Sequence, residues 1–175
     1  MTEHGAAALP PARRPGRYTV ALVCLGNICR SPMAEVVLRA RVEDAGLGEQ
    51  VEVISCGTGD WHVGQPMDPR AAATLRGAGL DPSRHRAQQW SSDWPERCDL
   101  VLAMDHSNLA DLGGRSERVR LFRDLDPLAT PDTGDEVPDP YYGGDDGFEE
   151  VLEMVERTSA AIVAALPPAM GAARP

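Results

Sequence analysis

Four short apolar or β-branched runs punctuate the chain: Tyr18 to Val23, Val51 to Ser55, Leu100 to Met104 and Val119 to Phe122. Each has the length and composition of a buried strand. Between them lie stretches with helical spacing. Pro32 to Ala45 carries Met33, Val36, Val37 and Ala40 on one face, and Gly46 and Gly48 stop it. Pro69 to Gly77 is alanine-rich and ends at glycine, and a third helix follows Asp105 through Leu109 and Leu112 to Gly113-Gly114. The last runs from about Asp146 to Leu166, with Phe148, Val151, Leu152, Val155 and Ile162 on one face. Strands alternating with helices dictate an α/β domain built on a parallel sheet. Ligands in such sheets bind outside the carboxyl ends of the strands, so the turn after the first strand is the first place to look for chemistry.

At 175 residues the chain fits one domain with a real core. Its formal net charge of −10 argues against a nucleic-acid or anionic-membrane surface, which needs basic patches. A phosphate-bearing substrate remains compatible, because a local positive pocket can sit in an acidic protein. No apolar run approaches the roughly 20 residues of a membrane span. The first 17 residues lack a signal-peptide core. The expected organisation is a disordered tail over 1–17, one folded domain over 18–166 and a disordered tail over 167–175, in a cytoplasmic protein. The four cysteines, Cys24, Cys29, Cys56 and Cys98, form no Cys-x-x-Cys pair and no zinc cluster. Neither a metal nor a cofactor is expected.

The first strand runs into Cys24-Leu25-Gly26-Asn27-Ile28-Cys29-Arg30-Ser31-Pro32, and a helix follows. A tight loop ahead of a helix can turn backbone N–H groups inward, and the helix N-terminus adds positive potential. Together they make a pocket for a dianion. Gly26 and Asn27 are residue types that tolerate positive φ. Arg30 can fork two N–H bonds onto two phosphate oxygens. The same field favours a thiolate at Cys24. Ser31 can cap the helix or donate its hydroxyl to that thiolate, and Pro32 suits the first helical position. The blander alternative is a buried structural cysteine beside a surface arginine. The strand-to-helix placement argues against it.

The segment Val23 to Pro32 resembles the signature of the low-molecular-weight protein tyrosine phosphatases. Ser55 to Trp61 resembles that family's second-strand loop, Met104 to Leu109 its third-strand turn, and Asp139-Pro140-Tyr141-Tyr142-Gly143 its general-acid loop. The likeness covers about Tyr18 to Leu166. It implies a single domain with a four-stranded parallel sheet flanked by helices, a flavodoxin-like or phosphatase I-like three-layer sandwich. It also implies hydrolysis of protein phosphotyrosine and aryl phosphate monoesters through a cysteinyl-phosphate. Tyrosine-phosphorylated proteins or peptides would be the substrates, a cognate tyrosine kinase their source, and the enzyme a monomer.

Thiolate attack expels an alkoxide or phenoxide, which leaves slowly unless an acid protonates it. On spacing alone Asp132, Asp135, Asp139, Asp145 or Asp146 could serve; the resemblance singles out Asp139, framed by Pro138 and Pro140. The loop aromatics Trp61, Tyr141 and Tyr142 read as walls packing a phenyl ring and excluding the shorter phosphoserine. Leu25, Gly26, Asn27, Ile28, Cys29 and Ser31 complete the expected substrate-binding set. The resemblance adds a supporting network of Asn27, Ser31, Ser55 and His85, and a reversible Cys24–Cys29 disulfide that shields the nucleophile. His62 and His106 read as surface residues, Cys56 and Cys98 as packing.

Three other chemistries compete. A thioredoxin-coupled arsenate reductase needs a further close cysteine pair, absent after Cys56. A protein-arginine phosphatase commonly holds threonine where this chain has Ile28. A phosphocysteine carrier would lack the arginine and the acid. A P-loop NTPase is excluded because no Gly-Lys-Ser/Thr occurs.

Overall fold

β1 (Tyr18–Cys24) is buried almost throughout and carries the architecture, because strands pair with it on both sides. β2 (Val51–Gly57) and β3 (Leu100–Ala103) flank it, and β4 (Val119–Leu121) pairs with β3. The order is therefore β2-β1-β3-β4, and every pairing is parallel. The computed structural model of the chain describes residues 8–171.

Alternation along β1 separates two apolar faces. Val20, Leu22 and Cys24 join a core with Met33, Val37 and Leu38 of α1 (Arg30–Asp44), Leu75 of α2 (Pro69–Gly77) and Val151, Val155 and Ile162 of α5 (Asp145–Met170). Ala21 and Val23 point the other way, toward Trp94 of α3 (Trp94–Arg97) and Cys98. The short α4 (His106–Asp111) covers Ala103 and Leu121 on that second face through Leu109. Helices on both faces of a four-stranded parallel sheet make three layers, as expected. The sequence pattern does not announce α3, whose four residues are too few for a visible period.

The boundaries of the expected tails need correcting. Among residues 8–17, Leu9 inserts into the main core and the Pro10 carbonyl accepts the Tyr18 hydroxyl at 2.8 Å. The backbone N–H groups of Ala12 and Gly16 donate to Ala169 and Met170 at the end of α5. Arg13 reaches across to Asp99 and to the Cys98 and Pro95 carbonyls. At the other end α5 runs through Pro167 and Pro168 to Met170, with Leu166 and Met170 buried. Proline-rich composition reads as coil, but burial of apolar side chains outweighs that local preference. Residues 1–7 and 172–175 of the expected tails lie outside the described segment.

α1 also begins earlier than expected, at Arg30, with Cys29 as its N-cap and no side-chain cap bond. Ser31 therefore does not cap the helix; its hydroxyl is used elsewhere. Among the described residues no helix is long and apolar enough to cross a membrane.

Candidate active site

The loop from Cys24 to Arg30 closes at the carboxyl end of β1, between its two neighbours β2 and β3, where ligands bind in such sheets. The Cys24 Sγ lies 3.0 Å from the Ser31 hydroxyl and accepts the Asn27 backbone N–H at 3.3 Å. Asn27 takes the left-handed conformation, with φ 58°, and it alone among the non-glycine residues described does so. Gly26 does not, contrary to expectation. The requirement there is space, since a Cβ on Gly26 would sit 3.2 Å from the His62 ring. Gly57 is the stricter case: a Cβ would meet the Leu25 carbonyl oxygen at 2.6 Å and the Asn27 nitrogen at 3.1 Å. The end of β2 thus packs backbone against the loop.

The strained loop is held from beneath. The Asn27 amide donates to the Ser31 and Ser55 hydroxyls at 2.8 and 2.9 Å, and its oxygen accepts the Gln88 N–H at 2.9 Å. The Ser55 hydroxyl in turn donates to Glu35, and His85 Nε2 meets the Asn27 carbonyl at 2.8 Å. His85 Nδ1 lies 3.5 Å from the same Glu35 carboxylate. Burial alone would push Glu35 up, but its bonds to His85, Ser55 and Arg39 outweigh that and hold it below the usual carboxylate range. Asn27, Ser31, Ser55 and His85 come together beneath the loop, all buried. Asn27 and Ser31 sit under the pocket rather than in its lining.

Arg30 is only 3% exposed, and its Nη1 donates to Asp105 Oδ2 at 2.7 Å and to the Val137 carbonyl at 3.0 Å. Burial disfavours its charge, but Cys24 and Asp105 more than compensate, so the guanidinium is held more firmly cationic. Its Nη2 lies 3.8 Å from Asp139 Oδ2. Asp139 is exposed, and its Oδ1 accepts the Tyr141 N–H at 3.0 Å. Asp135 instead faces His106 at the surface.

A pocket of about 370 Å³ joins Cys24, Arg30 and Asp139 to Leu25, Ile28 and Cys29, with Trp61, Tyr141 and Tyr142 as walls. Trp61 and Tyr142 are strongly exposed, and the two tyrosine rings stack edge to face at 4.9 Å. His62, read from sequence as a surface residue, also lines this pocket. Burial, reinforced by Asp68 and Cys24, pushes the Cys29 thiol up. Cys24 and Cys29 are both free. Sequence reasoning missed Glu35, Gly57, Gln88 and Asp105 as loop supports. Only the Met104 to Leu109 likeness pointed toward Asp105.

Comparison with known proteins gives one consistent result. The family model described as "Low molecular weight phosphotyrosine protein phosphatase" matches residues 19–169. A "Low molecular weight protein-tyrosine-phosphatase" of Streptomyces coelicolor is 53% identical over 158 residues, covering 85% of this chain and 93% of that protein. Among solved structures, YfkJ from Bacillus subtilis aligns with a TM-score of 0.80 at 31% identity, over 89% of this chain and 98% of that one. A protein tyrosine phosphatase from Entamoeba histolytica, with Hepes in its active site, aligns with a TM-score of 0.78 at 30% identity, over 86% and 97% of the two chains.

Proposed function

The chain belongs to the low molecular weight phosphotyrosine protein phosphatase family, and on that footing we propose that it hydrolyses protein phosphotyrosine with Cys24 as nucleophile, Arg30 as phosphate ligand and Asp139 as acid and base. In the first step the Cys24 thiolate attacks phosphorus and the P–O bond to the phenol breaks. Asp139 gives its proton to the departing oxygen, leaving cysteinyl-phosphate and a carboxylate. In the second step Asp139 takes a proton from water as its oxygen attacks phosphorus, and the thiolate leaves. Arg30 follows the equatorial oxygens through both steps, and the Ser31 hydroxyl steadies the thiolate each time it is free.

One observation carries this reading: the thiol, the buried guanidinium and one aspartate of an acid-rich loop converge in a single pocket, with Arg30 Nη2 and Asp139 Oδ2 3.8 Å apart. The aromatic walls support an aryl rather than an alkyl ester. A tyrosine kinase in the same compartment supplies the substrates, and we assign that compartment to the cytoplasm.

The test is leaving-group dependence. An acid matters most when the leaving group is poor, so Asp139→Asn should slow phosphotyrosine, whose phenol has a pKa near 10, far more than a nitrophenyl ester. Asp132→Asn and Asp135→Asn should do little. Equal slowing of both esters by Asp139→Asn would remove the acid role, and selective slowing at Asp132 or Asp135 would transfer it.

A further inference from the structure

Arg70 stands outside the pocket lining, yet it reaches the acid loop from α2. It occupies the first turn of α2, one residue after Pro69. Its Nε and Nη2 pair with Asp68 at 3.1 and 3.0 Å, and its own N–H donates to the same carboxylate at 2.8 Å. Its Nη2 also donates to the Tyr141 carbonyl at 3.0 Å, and Nη1 reaches the Gly143 carbonyl at 3.4 Å. The guanidinium carbon lies 4.8 Å from the centre of the Phe148 ring and 5.5 Å from that of Tyr141.

Two further bonds turn this cluster into a link between acid and nucleophile. The Tyr141 N–H donates to Asp139 Oδ1 at 3.0 Å, so the residue whose carbonyl Arg70 holds also holds the acid's carboxylate. On the other side the Asp68 N–H donates to the Ile28 carbonyl in the nucleophile loop at 2.9 Å. Asp68 is buried and is kept below the usual carboxylate range: burial opposes this, but the bonds from Arg70 outweigh it. Two carbonyls, one carboxylate and two rings around the guanidinium leave it little capacity to bind substrate as well.

We propose that Arg70 is a positioning residue for the chemical step: through Tyr141 it sets where Asp139 stands over the leaving oxygen, and through Asp68 it ties that position to the Cys24–Arg30 loop. Without it, the Asp139 to Gly144 segment keeps its sequence but loses its anchor to α2. A planar fork is needed to serve two carbonyls and a carboxylate together, so lysine is not an equivalent. Placement errors of an ångström cost catalysis heavily, which makes a remote anchor matter.

This proposal rests on Asp139 as the acid, and the experiment separates the two. Rates for a series of aryl phosphates are measured for Arg70→Ala and Arg70→Lys, each alone and with Asp139→Asn. Arg70→Ala should slow the poorest leaving group by about tenfold or more and an activated nitrophenyl ester by only about two- or threefold. Arg70→Lys retains an ion pair with Asp68 and a folded α2, and should show the same selectivity to a smaller degree. In the Asp139→Asn background either change should add no further leaving-group dependence. If Asp139→Asn steepens that dependence while both Arg70 variants slow good and poor leaving groups alike, Arg70 is only structural and the proposal fails. It fails equally if the Arg70 effect persists in full without Asp139. If Asp139→Asn shows no leaving-group dependence, it is the acid assignment that fails, and the proposal falls with it.

Discussion

Replacing Asn27 with alanine tests how the nucleophile loop is held. The wild-type side chain makes three hydrogen bonds, to Ser31, Ser55 and the Gln88 N–H, in a site with no measurable exposure. At about 1 kcal/mol for each buried bond, their loss costs about 3 kcal/mol. Alanine at a φ of 58° adds about 1 kcal/mol of steric cost that asparagine partly avoids. The sum, about 4 kcal/mol, corresponds to a melting temperature lower by about 8–16 °C for a chain of this size. Asn27→Gly removes the same bonds but tolerates the backbone, so it should recover part of the loss. Thermal unfolding and turnover of an activated aryl phosphate would be measured together. Turnover should fall more than tenfold, because the Ser31 hydroxyl and the Asn27 N–H both address the Cys24 Sγ. If Asn27→Ala melts within about 2 °C of wild type and keeps its rate, the network does not hold the loop.

Two further changes probe neighbouring parts of the site. Gly57→Ala places a methyl 2.6 Å from the Leu25 carbonyl oxygen, a backbone atom with nowhere to go, so the loop must shift and turnover should drop about tenfold or more; wild-type kinetics would show that β2 gives way instead. Asp126, with no side-chain exposure, accepts bonds from Arg123 and Arg157 and joins the segment before the acid loop to α5. Burial would raise its pKa, but bonds from Arg157, the Leu128 N–H and Arg123 bring it down from 3.8 to about 2. A depressed carboxylate contributes stability above its unfolded pKa and loses it as pH falls through the folded one. The contribution, about 1–2 kcal/mol after screening, should be complete above about pH 5 and vanish between about pH 4 and 2. Denaturant titrations of wild type and Asp126→Asn should therefore differ most near neutrality and converge toward pH 2; a constant gap across that range would contradict the linkage.

The parts legible in the sequence are those written locally. Cys24, Arg30 and the strand-to-helix turn sit within nine residues and declare their chemistry by type and order. The four strands show through composition, and their parallel arrangement through alternation with helices. What stayed hidden depends on closure of the fold. Glu35 is an ordinary helix residue until β2 and the segment around His85 bring Ser55 and His85 to it. Gly57 looks like one more turn glycine, since nothing in sequence states that the Leu25 carbonyl will pass within contact distance. Arg70 looks like solvent-facing charge on a short helix, and only the return of the chain at Tyr141 and Gly143 gives it a task. The segments flanking the domain misled for a related reason. Their proline and alanine content is that of a tail, whereas Leu9 and Met170 find core to bury in only after the sheet has formed.

Covalent transfer of phosphate to Cys24 underlies every step of the proposed mechanism. It can be observed by rapid acid quench of the working enzyme with an activated aryl phosphate, followed by peptide mass analysis. A single phosphoryl adduct should appear on the peptide bearing Cys24, forming and decaying with turnover. Cys24→Ser should show neither that adduct nor turnover while still binding inorganic phosphate through Arg30 and the loop. Turnover by Cys24→Ser near the wild-type rate, or a phosphoryl adduct found on Cys29 instead, would contradict the mechanism.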